Sequence, residues 1–190
     1  MSKVRIRIAP LLAALALAAA AQAAQAAQAD TIDLPNGRSV ELPEGWVVTG
    51  APEGTVSPSG MRRVQLACIS DACEQTQETC TILMQAKSME GDDDATKLDG
   101  LYASPLRRYF RLRAVLRSTS SDAELLKPLE SVRIGERQWY RVETDARHGY
   151  RSGLFAETVV DGLYVGAICK SCETGAKRHR DGLRILESLK

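Results

Sequence analysis

The sequence predicts an α+β fold, in which strands follow one another through tight turns and the helices stand apart from them. Two turn dipeptides support this prediction, Asn36-Gly37 and Asp161-Gly162, because each lies between short runs rich in apolar residues. The third observation is Ser104-Pro105, which suits a helix start with serine as the N-cap and proline at the first helical position.

Residues 1–29 are predicted to be a secretory signal peptide. Three basic residues precede an apolar run over 8–21, and repeated Ala-Gln-Ala triplets offer small-residue cleavage sites after Ala23, Ala26 or Ala29. We expect cleavage after Ala29, because polar sequence begins there, and a single globular domain over 30–190 in the bacterial periplasm. The apolar run is too short for a comfortable membrane span, so no stable membrane insertion is expected after cleavage. A retained anchor or a surface helix is the alternative.

Residues 30–190 have almost no net charge. The chain has 25 basic and 24 acidic residues, and three of the basic ones lie in residues 1–29, which leaves 22 against 24. This balance gives no broad electrostatic surface for nucleic acid or for an anionic membrane. With 44% hydrophobic and 26% charged residues, the composition is typical of a globular protein.

The first predicted element after the signal peptide is a β-hairpin around Asn36-Gly37, a dipeptide that tolerates the positive φ angles of a type I′ turn. Apolar residues alternate on both sides of that turn: Ile32, Leu34, Val40 and Leu42. Pro35 limits the first strand to a short or edge strand. The segment Leu42–Trp46 then turns the chain into a strand at 47–48, and 51–60 is predicted to be a loop.

Alternating apolar and polar residues predict two further strands, one over 64–68 and one over 80–86, with a polar connection over 70–79. Residues 91–100 contain three consecutive aspartates and predict an acidic loop. The helix that starts after Ser104 is expected to have an apolar face formed by Leu106, Tyr109, Phe110, Val115 and Leu116. A strand is the alternative there, because Phe110, Leu112, Ala114 and Leu116 also alternate.

The last third of the chain predicts a β-meander and a closing helix. Gly135-Glu136 separates the strands of a second hairpin, and Asp161-Gly162 joins strands predicted over 154–160 and 163–169. Over 176–189, helical spacing predicts a packed stripe of Leu183, Leu186 and Leu189, widened by Ile185. Three basic residues of this segment are expected to lie in water: Lys177, Arg178 and Arg180.

Four short phrases of the sequence point to a known family. They are Leu42-Pro43-Glu44-Gly45-Trp46, Val132-Arg133-Ile134-Gly135 followed by Trp139-Tyr140-Arg141, Asp161-Gly162-Leu163-Tyr164, and Ile185-Leu186-Glu187-Ser188-Leu189-Lys190. In these phrases and in its order of elements, the chain resembles the PsbP-like family, which includes the photosystem PsbP proteins, a Ran-binding nuclear protein and many small bacterial periplasmic proteins. The resemblance implies an antiparallel sheet sandwiched by packed helices, and it implies no catalytic residues. It also implies protein binding, because family members mostly bind proteins or act as assembly factors, and some bacterial relatives look like type VI secretion accessory or immunity proteins.

Cysteine is the one chemistry-bearing residue type that clusters, as Cys68, Cys73, Cys80, Cys169 and Cys172. In an oxidising compartment such a cluster indicates structural disulfides, and five thiols leave at least one unpaired. We predict at least one bridge among Cys68, Cys73 and Cys80, because all three lie on or between neighbouring predicted strands. The sequence does not choose among the possible connectivities.

Cys169 and Cys172 form a CxxC motif, which gives the alternative function of a thiol–disulfide redox protein, with Lys170 favouring the thiolate. Redox proteins of that type place the motif at the start of a helix in a βαβ unit, a context that is missing here. A zinc site could use Cys68 and Cys73 with this pair, but an oxidising compartment favours disulfides. The sequence therefore predicts no metal and no cofactor.

No catalytic constellation is predicted. His148 and His179 are both expected at the surface, and neither lies near a serine-nucleophile motif. The densest basic run consists of Arg107, Arg108, Arg111, Arg113 and Arg117. A solvated or ion-paired helix face is one interpretation, and an acidic protein partner bound by Arg107, Arg108 and Arg111 is the sharper one. The leading hypothesis is a non-enzymatic periplasmic module that binds another protein.

Overall fold

The structure is a computed structural model that describes residues 30–34, 37–50, 54–175 and 178–190. The predicted signal peptide, Pro35-Asn36 and Lys177 lie outside the described residues. The strands are β1 (Asp30–Leu34), β2 (Arg38–Leu42), β3 (Trp46–Val48), β4 (Thr55–Val56), β5 (Arg62–Cys68), β6 (Thr79–Ala86), β7 (Glu124–Ile134), β8 (Arg137–Asp145), β9 (Ser152–Val160) and β10 (Leu163–Ser171). The helices are α1 (Asp94–Tyr102), α2 (Pro105–Thr119) and α3 (Arg180–Glu187), and a short 3₁₀-helix spans Asp71–Cys73.

Two antiparallel sheets form the scaffold. β1 and β2 make a hairpin of their own. The other eight strands form one sheet in the order β3-β5-β6-β10-β9-β8-β7, with β4 paired to β5 beside β3. Every pairing in this sheet is antiparallel, and the helices come in two places along the chain: α1 and α2 between β6 and β7, and α3 after β10. The α+β class predicted from the tight turns is therefore confirmed.

The large sheet buries both of its faces. Along β10, alternate residues point to opposite sides, so Val165 and Ala167 face one core while Tyr164 faces the other. The first core also holds Trp46 and Trp139, and it is covered by the β1–β2 hairpin and α3. The second core is covered by α1 and α2, with apolar residues that include Leu98, Leu101, Val115 and Phe155. The result is a sheet with packed elements on both sides.

The predicted turns have the backbone that their sequences require. Asp161 and Gly162 both have positive φ angles, 48° and 75°, as in the type I′ turns that match the twist of adjoining strands. β9 and β10 consequently pair without a register shift from Leu163 opposite Val160 to Ser171 opposite Ser152. The hairpin of β7 and β8 around Gly135 is likewise confirmed.

The predicted acidic loop over 91–100 is wrong from Asp94 onward, because α1 begins there. Asp93 is the N-cap, and its carboxylate accepts a hydrogen bond of 2.7 Å from the backbone N–H of Thr96. Carboxylates at a helix N-terminus satisfy free N–H groups and complement the helix dipole, so an aspartate run suits a helix start as well as a loop. Asp94 also accepts hydrogen bonds from the backbone N–H groups of the Asp161–Gly162 turn, which ties α1 to the sheet.

The helix predicted after Ser104 is confirmed as α2, and the alternative strand is wrong. Its predicted apolar face is only partly correct. Val115 is buried, with Thr119 one turn further on, whereas Leu106, Tyr109 and Phe110 are exposed. Helical periodicity places the two sets on different sides of the helix, and contact with the sheet selected the side of Val115.

The C-terminal helix is shorter than predicted, spanning Arg180–Glu187 instead of 176–189. Ile185 and Leu186 are buried against the sheet, Leu189 is buried just beyond the helix end, and Leu183 is partly buried. The helix therefore packs as predicted, although Ile185 lies at the centre of the buried stripe.

His179 and Arg178 correct two surface predictions. His179, at the N-cap of α3, has a left-handed backbone with φ of 56° and is only 2% exposed. Its Nδ1 lies 3.7 Å from Oε1 of the buried Glu78. Arg178 forms an ion pair with Asp145 instead of standing free in water. Both side chains therefore contact the body of the protein, and His148 alone of the two histidines is at the surface.

Candidate functional site

The outward side of α2 carries three large apolar side chains that the fold does not cover. Leu106 is 63% exposed, Tyr109 51% and Phe110 59%. Their spacing of three and four residues places them on one side of the helix, together with Arg113 one turn later. The rings of Tyr109 and Phe110 meet edge to face with centroids 5.6 Å apart. We call Leu106, Tyr109, Phe110 and Arg113 the outer face of α2.

Helix α2 is rich in positive charge, and one of its arginines lies on the outer face. α2 contains five arginines and no acidic residue. The guanidinium of Arg113 lies 5.7 Å from the centre of the Tyr109 ring and donates a hydrogen bond of 3.2 Å to the Tyr109 hydroxyl. The outer face therefore combines exposed apolar surface with a cation held against an aromatic ring.

The three arginines predicted to bind a partner have different surroundings. Arg107 is exposed and lines a cavity beside α2. Nε of Arg108 donates a hydrogen bond to the backbone carbonyl of Tyr102, at the end of α1. Arg111 points inward, where it forms an ion pair with Glu157. Of the three, Arg107 alone has no hydrogen bond or ion pair with another residue in the described part of the chain.

A buried polar network lies beneath α2. Glu157, on β9, is 1% exposed, and its carboxylate accepts hydrogen bonds from the hydroxyls of Tyr102 and Tyr164 and from the guanidinium of Arg111. Arg111 also lies 5.2 Å from the centre of the Tyr102 ring. Each buried polar group thus has a charged or hydrogen-bonding partner, as a low-dielectric interior requires. The network joins α1, α2, β9 and β10.

Sequence reasoning missed this network, although one signal was present. Glu157 is the single charged residue in the run over 152–160, whose other residues are apolar, small or hydroxyl-bearing. A charged residue at the centre of an apolar strand is rarely buried unless it is paired, so its position calls for a cationic or hydroxyl partner. The sequence offered no way to choose Arg111 from the five arginines of α2.

The tyrosines of this region have raised pKa values. Burial and the adjacent Glu157 carboxylate raise the pKa of Tyr102 and of Tyr164 well above the ordinary value. Burial and a hydrogen bond to Asp99 also raise the pKa of Tyr140, whose ring stacks on Tyr102 with centroids 4.2 Å apart. All three hydroxyls are therefore harder to ionise in the folded state than in the unfolded chain.

We expect the protein to lose stability as the pH rises above about 10, where tyrosines of an unfolded chain ionise. The pKa values of Tyr102 and Tyr164 are raised in the folded state, so as the pH rises the unfolded state loses these protons before the folded state does. The stability that the two protonated tyrosines contribute is therefore complete below pH ~10 and is lost above it. The measurement is the melting temperature between pH 8 and 11. Tyr164→Phe should flatten the alkaline decline, and Tyr109→Phe, at an exposed position, should leave it unchanged. Identical slopes in all three proteins would contradict the prediction.

The cysteines form two disulfides. Cys68 and Cys73 are joined across the start of the polar connection, with Cα atoms 5.8 Å apart, which confirms a bridge among the first three cysteines. Cys80 and Cys169 are joined between β6 and β10, where they stand directly opposite each other. Cys172 is the free cysteine and is partly exposed.

The CxxC residues are consequently not joined to each other, because Cys169 is bridged to Cys80. The four cysteines considered for zinc are likewise divided between bridges and a single thiol. Within the described ranges, no group of three or more histidine, cysteine, aspartate or glutamate residues is placed to hold a metal ion. No described helix combines the length and the apolar character needed to cross a membrane.

The fold is similar to that of a known protein. The solution structure of cyanobacterial PsbP (CyanoP) from Synechocystis sp. PCC 6803 matches this chain with a TM-score of 0.50, over 85% of this chain and 91% of that protein, at 19% sequence identity. The likeness confirms the PsbP-like fold that the sequence resemblance implied. No protein-family model matches the chain, and no curated protein matches it significantly.

Proposed function

We propose that this chain is a non-enzymatic protein-binding module of the bacterial periplasm, and that the outer face of α2 contacts the partner. The observation that carries the proposal is the exposure of Leu106, Tyr109 and Phe110, each more than half accessible on one side of a single helix. Contiguous apolar surface of this kind is unfavourable in water, and on folded proteins it commonly marks a site of protein contact.

The chemistry of this face favours an acidic partner. Aromatic residues and arginine are enriched at protein interfaces, where the rings supply buried area and the guanidinium supplies directed hydrogen bonds. α2 brings both together and has no acidic residue of its own. A partner segment with an apolar centre and flanking carboxylates would cover Leu106 and Phe110 and pair with Arg113.

The proposed location and wider role depend on the sequence. The basic and apolar pattern of residues 1–29 supports export to the periplasm. The resemblance to PsbP-like proteins supports a narrower proposal, in which the module serves type VI secretion as an accessory or immunity protein. Identification of the partner would decide that narrower proposal.

Thiol–disulfide exchange is the weaker proposal. Cys172 would have to exchange with the Cys80–Cys169 bridge, because Cys169 has no free thiol to pair with it. Cys80 and Cys169 are both fully buried, and exchange requires a thiolate to approach a bridge sulfur in line. The bridge therefore has the surroundings of a structural disulfide.

We expect a photoreactive amino acid at Phe110 to crosslink to a discrete partner protein in the periplasm of the bacterium that encodes this chain. Additional Leu106→Ser substitution should weaken capture by about tenfold, as loss of an apolar contact at the centre of an interface does. Capture should also fall as the salt concentration rises, because the arginines contribute screened attraction. The measurement is the yield of crosslinked product resolved by mass.

The matched control has the same photoreactive group at Glu136, which is exposed in the turn between β7 and β8 and is not part of the outer face of α2. It should yield no discrete product. Equal products at both positions, or none at Phe110, would contradict the assignment of the outer face as the binding surface.

A further inference from the structure

A cavity beside the outer face of α2 has a separate chemistry. It has a volume of about 350 Å³ and lies between the segment that follows β6, α1 and the first half of α2. Sites for small molecules commonly start at roughly this volume. We infer that this cavity binds a small, doubly charged anion of the phosphate monoester class.

The charge of the lining carries the inference. Lys87, Lys97, Arg107 and Arg111 all contribute to the cavity, and Glu90 is its one acidic residue. Arg111 is neutralised by its ion pair with Glu157. Lys87 and Arg107 have no ion-pair or hydrogen-bond partner in the part of the chain that the structure describes. Cations that line one concave site and form no ion pair with a described carboxylate raise the local positive potential, which attracts an anion.

The chemical class of the anion follows from the guanidinium and ammonium groups that line the cavity. A guanidinium presents a planar set of donors that fits two oxygens of one phosphate, and an ammonium binds phosphate as a compact charge. Lys87, Lys97 and Arg107 together can match a group with two negative charges, even with Glu90 nearby.

The remaining wall favours a short apolar tail on the ligand. Leu101, which is buried in the second core, and Met89, which is partly buried against that core, both line the cavity. An alkyl group against them would leave water while the phosphate stays among the cations. A short alkyl phosphate is therefore expected to bind more tightly than inorganic phosphate.

The test is titration calorimetry of the purified protein with butyl phosphate and with inorganic phosphate, at constant ionic strength maintained with chloride. We expect saturable binding of one butyl phosphate per chain, and weaker binding of inorganic phosphate. Arg107→Gln and Lys87→Gln should each weaken binding by about tenfold, the usual effect of losing one charged hydrogen bond. Both residues are exposed, and an unchanged melting temperature will verify that the variants fold.

Two further variants make the result specific. Arg117→Gln removes an exposed arginine from the same helix outside the cavity and should leave the affinity unchanged. Phe110→Ser should also leave it unchanged, which separates this site from the proposed protein-binding face. Absence of saturable binding, or equal weakening by Arg117→Gln and Arg107→Gln, would overturn the inference. Equal affinity for the two phosphates would overturn the assignment of the apolar wall.

Discussion

Replacing Arg111 with methionine is expected to lower the free energy of unfolding by about 3–5 kcal/mol. The substitution leaves the carboxylate of Glu157 buried at 1% exposure with two tyrosine hydroxyls and no cation. Removing one member of a buried ion pair is costly because the other charge stays in a medium of low dielectric constant. The loss should be visible in chemical denaturation followed by circular dichroism at pH 7.

Two variants show whether the loss of stability comes from breaking the Arg111–Glu157 ion pair. Arg117→Met changes an exposed arginine of the same helix and should alter stability by at most about 0.5 kcal/mol. Arg111→Met combined with Glu157→Gln should recover part of the loss, because the neutral amide removes the buried charge, its oxygen can accept from one tyrosine hydroxyl, and its NH2 can donate to the other. If Arg111→Met unfolds at the wild-type denaturant concentration, the network does not stabilise the fold.

The second large effect is expected from removing the Cys80–Cys169 bridge. The two residues are 89 positions apart, and closing a loop of this length restricts the unfolded chain by about 4–5 kcal/mol in the chain-entropy model. The bridge also lies in the first core, between the central strands β6 and β10. We expect the double variant Cys80→Ala/Cys169→Ala to lose about 2–5 kcal/mol in denaturation under non-reducing conditions.

The short bridge provides the matched comparison. Cys68 and Cys73 are separated by five positions, so the same model assigns their bridge only about 2 kcal/mol. Cys68→Ala/Cys73→Ala should therefore cost less than the loss of the long bridge. Mass spectrometry of the non-reduced wild-type protein should find one alkylatable cysteine, Cys172. Five alkylatable thiols, or equal losses from the two double variants, would contradict this account.

Much of the fold was accessible from the sequence because it depends on neighbouring residues. Asn36-Gly37, Gly135-Glu136 and Asp161-Gly162 each indicated a hairpin, and in the structure β1 pairs with β2, β7 with β8, and β9 with β10. Turn residues select backbone angles within two positions, so their effect needs no distant contact. The helix start at Ser104-Pro105 is local in the same sense.

Helix α1 marks the limit of local reasoning. Its aspartate cap and its buried residues Leu98, Leu101 and Tyr102 are all present in the sequence, but the apolar pattern covers little more than one turn. A pattern this short becomes a helix because it packs against β9 and β10, and the sequence does not say that those strands lie beneath it. The same limit applies to predicting the candidate site. The arginine run is visible in the sequence, but the sequence does not show that Arg111 pairs with the buried Glu157 while Arg107 is exposed beside a cavity.

The sequence by itself determined the hairpins, the α+β class, the positive charge of α2 and the cluster of five cysteines. Tertiary structure alone decided that β6 pairs with β10, and therefore that Cys80 is bridged to Cys169 instead of Cys172. It also decided which side of α2 faces the sheet and which side is left to water. The physical reason is that partners far apart in sequence meet only when a whole sheet assembles. Helical and strand periodicity specify which residues share a side, but not what covers that side.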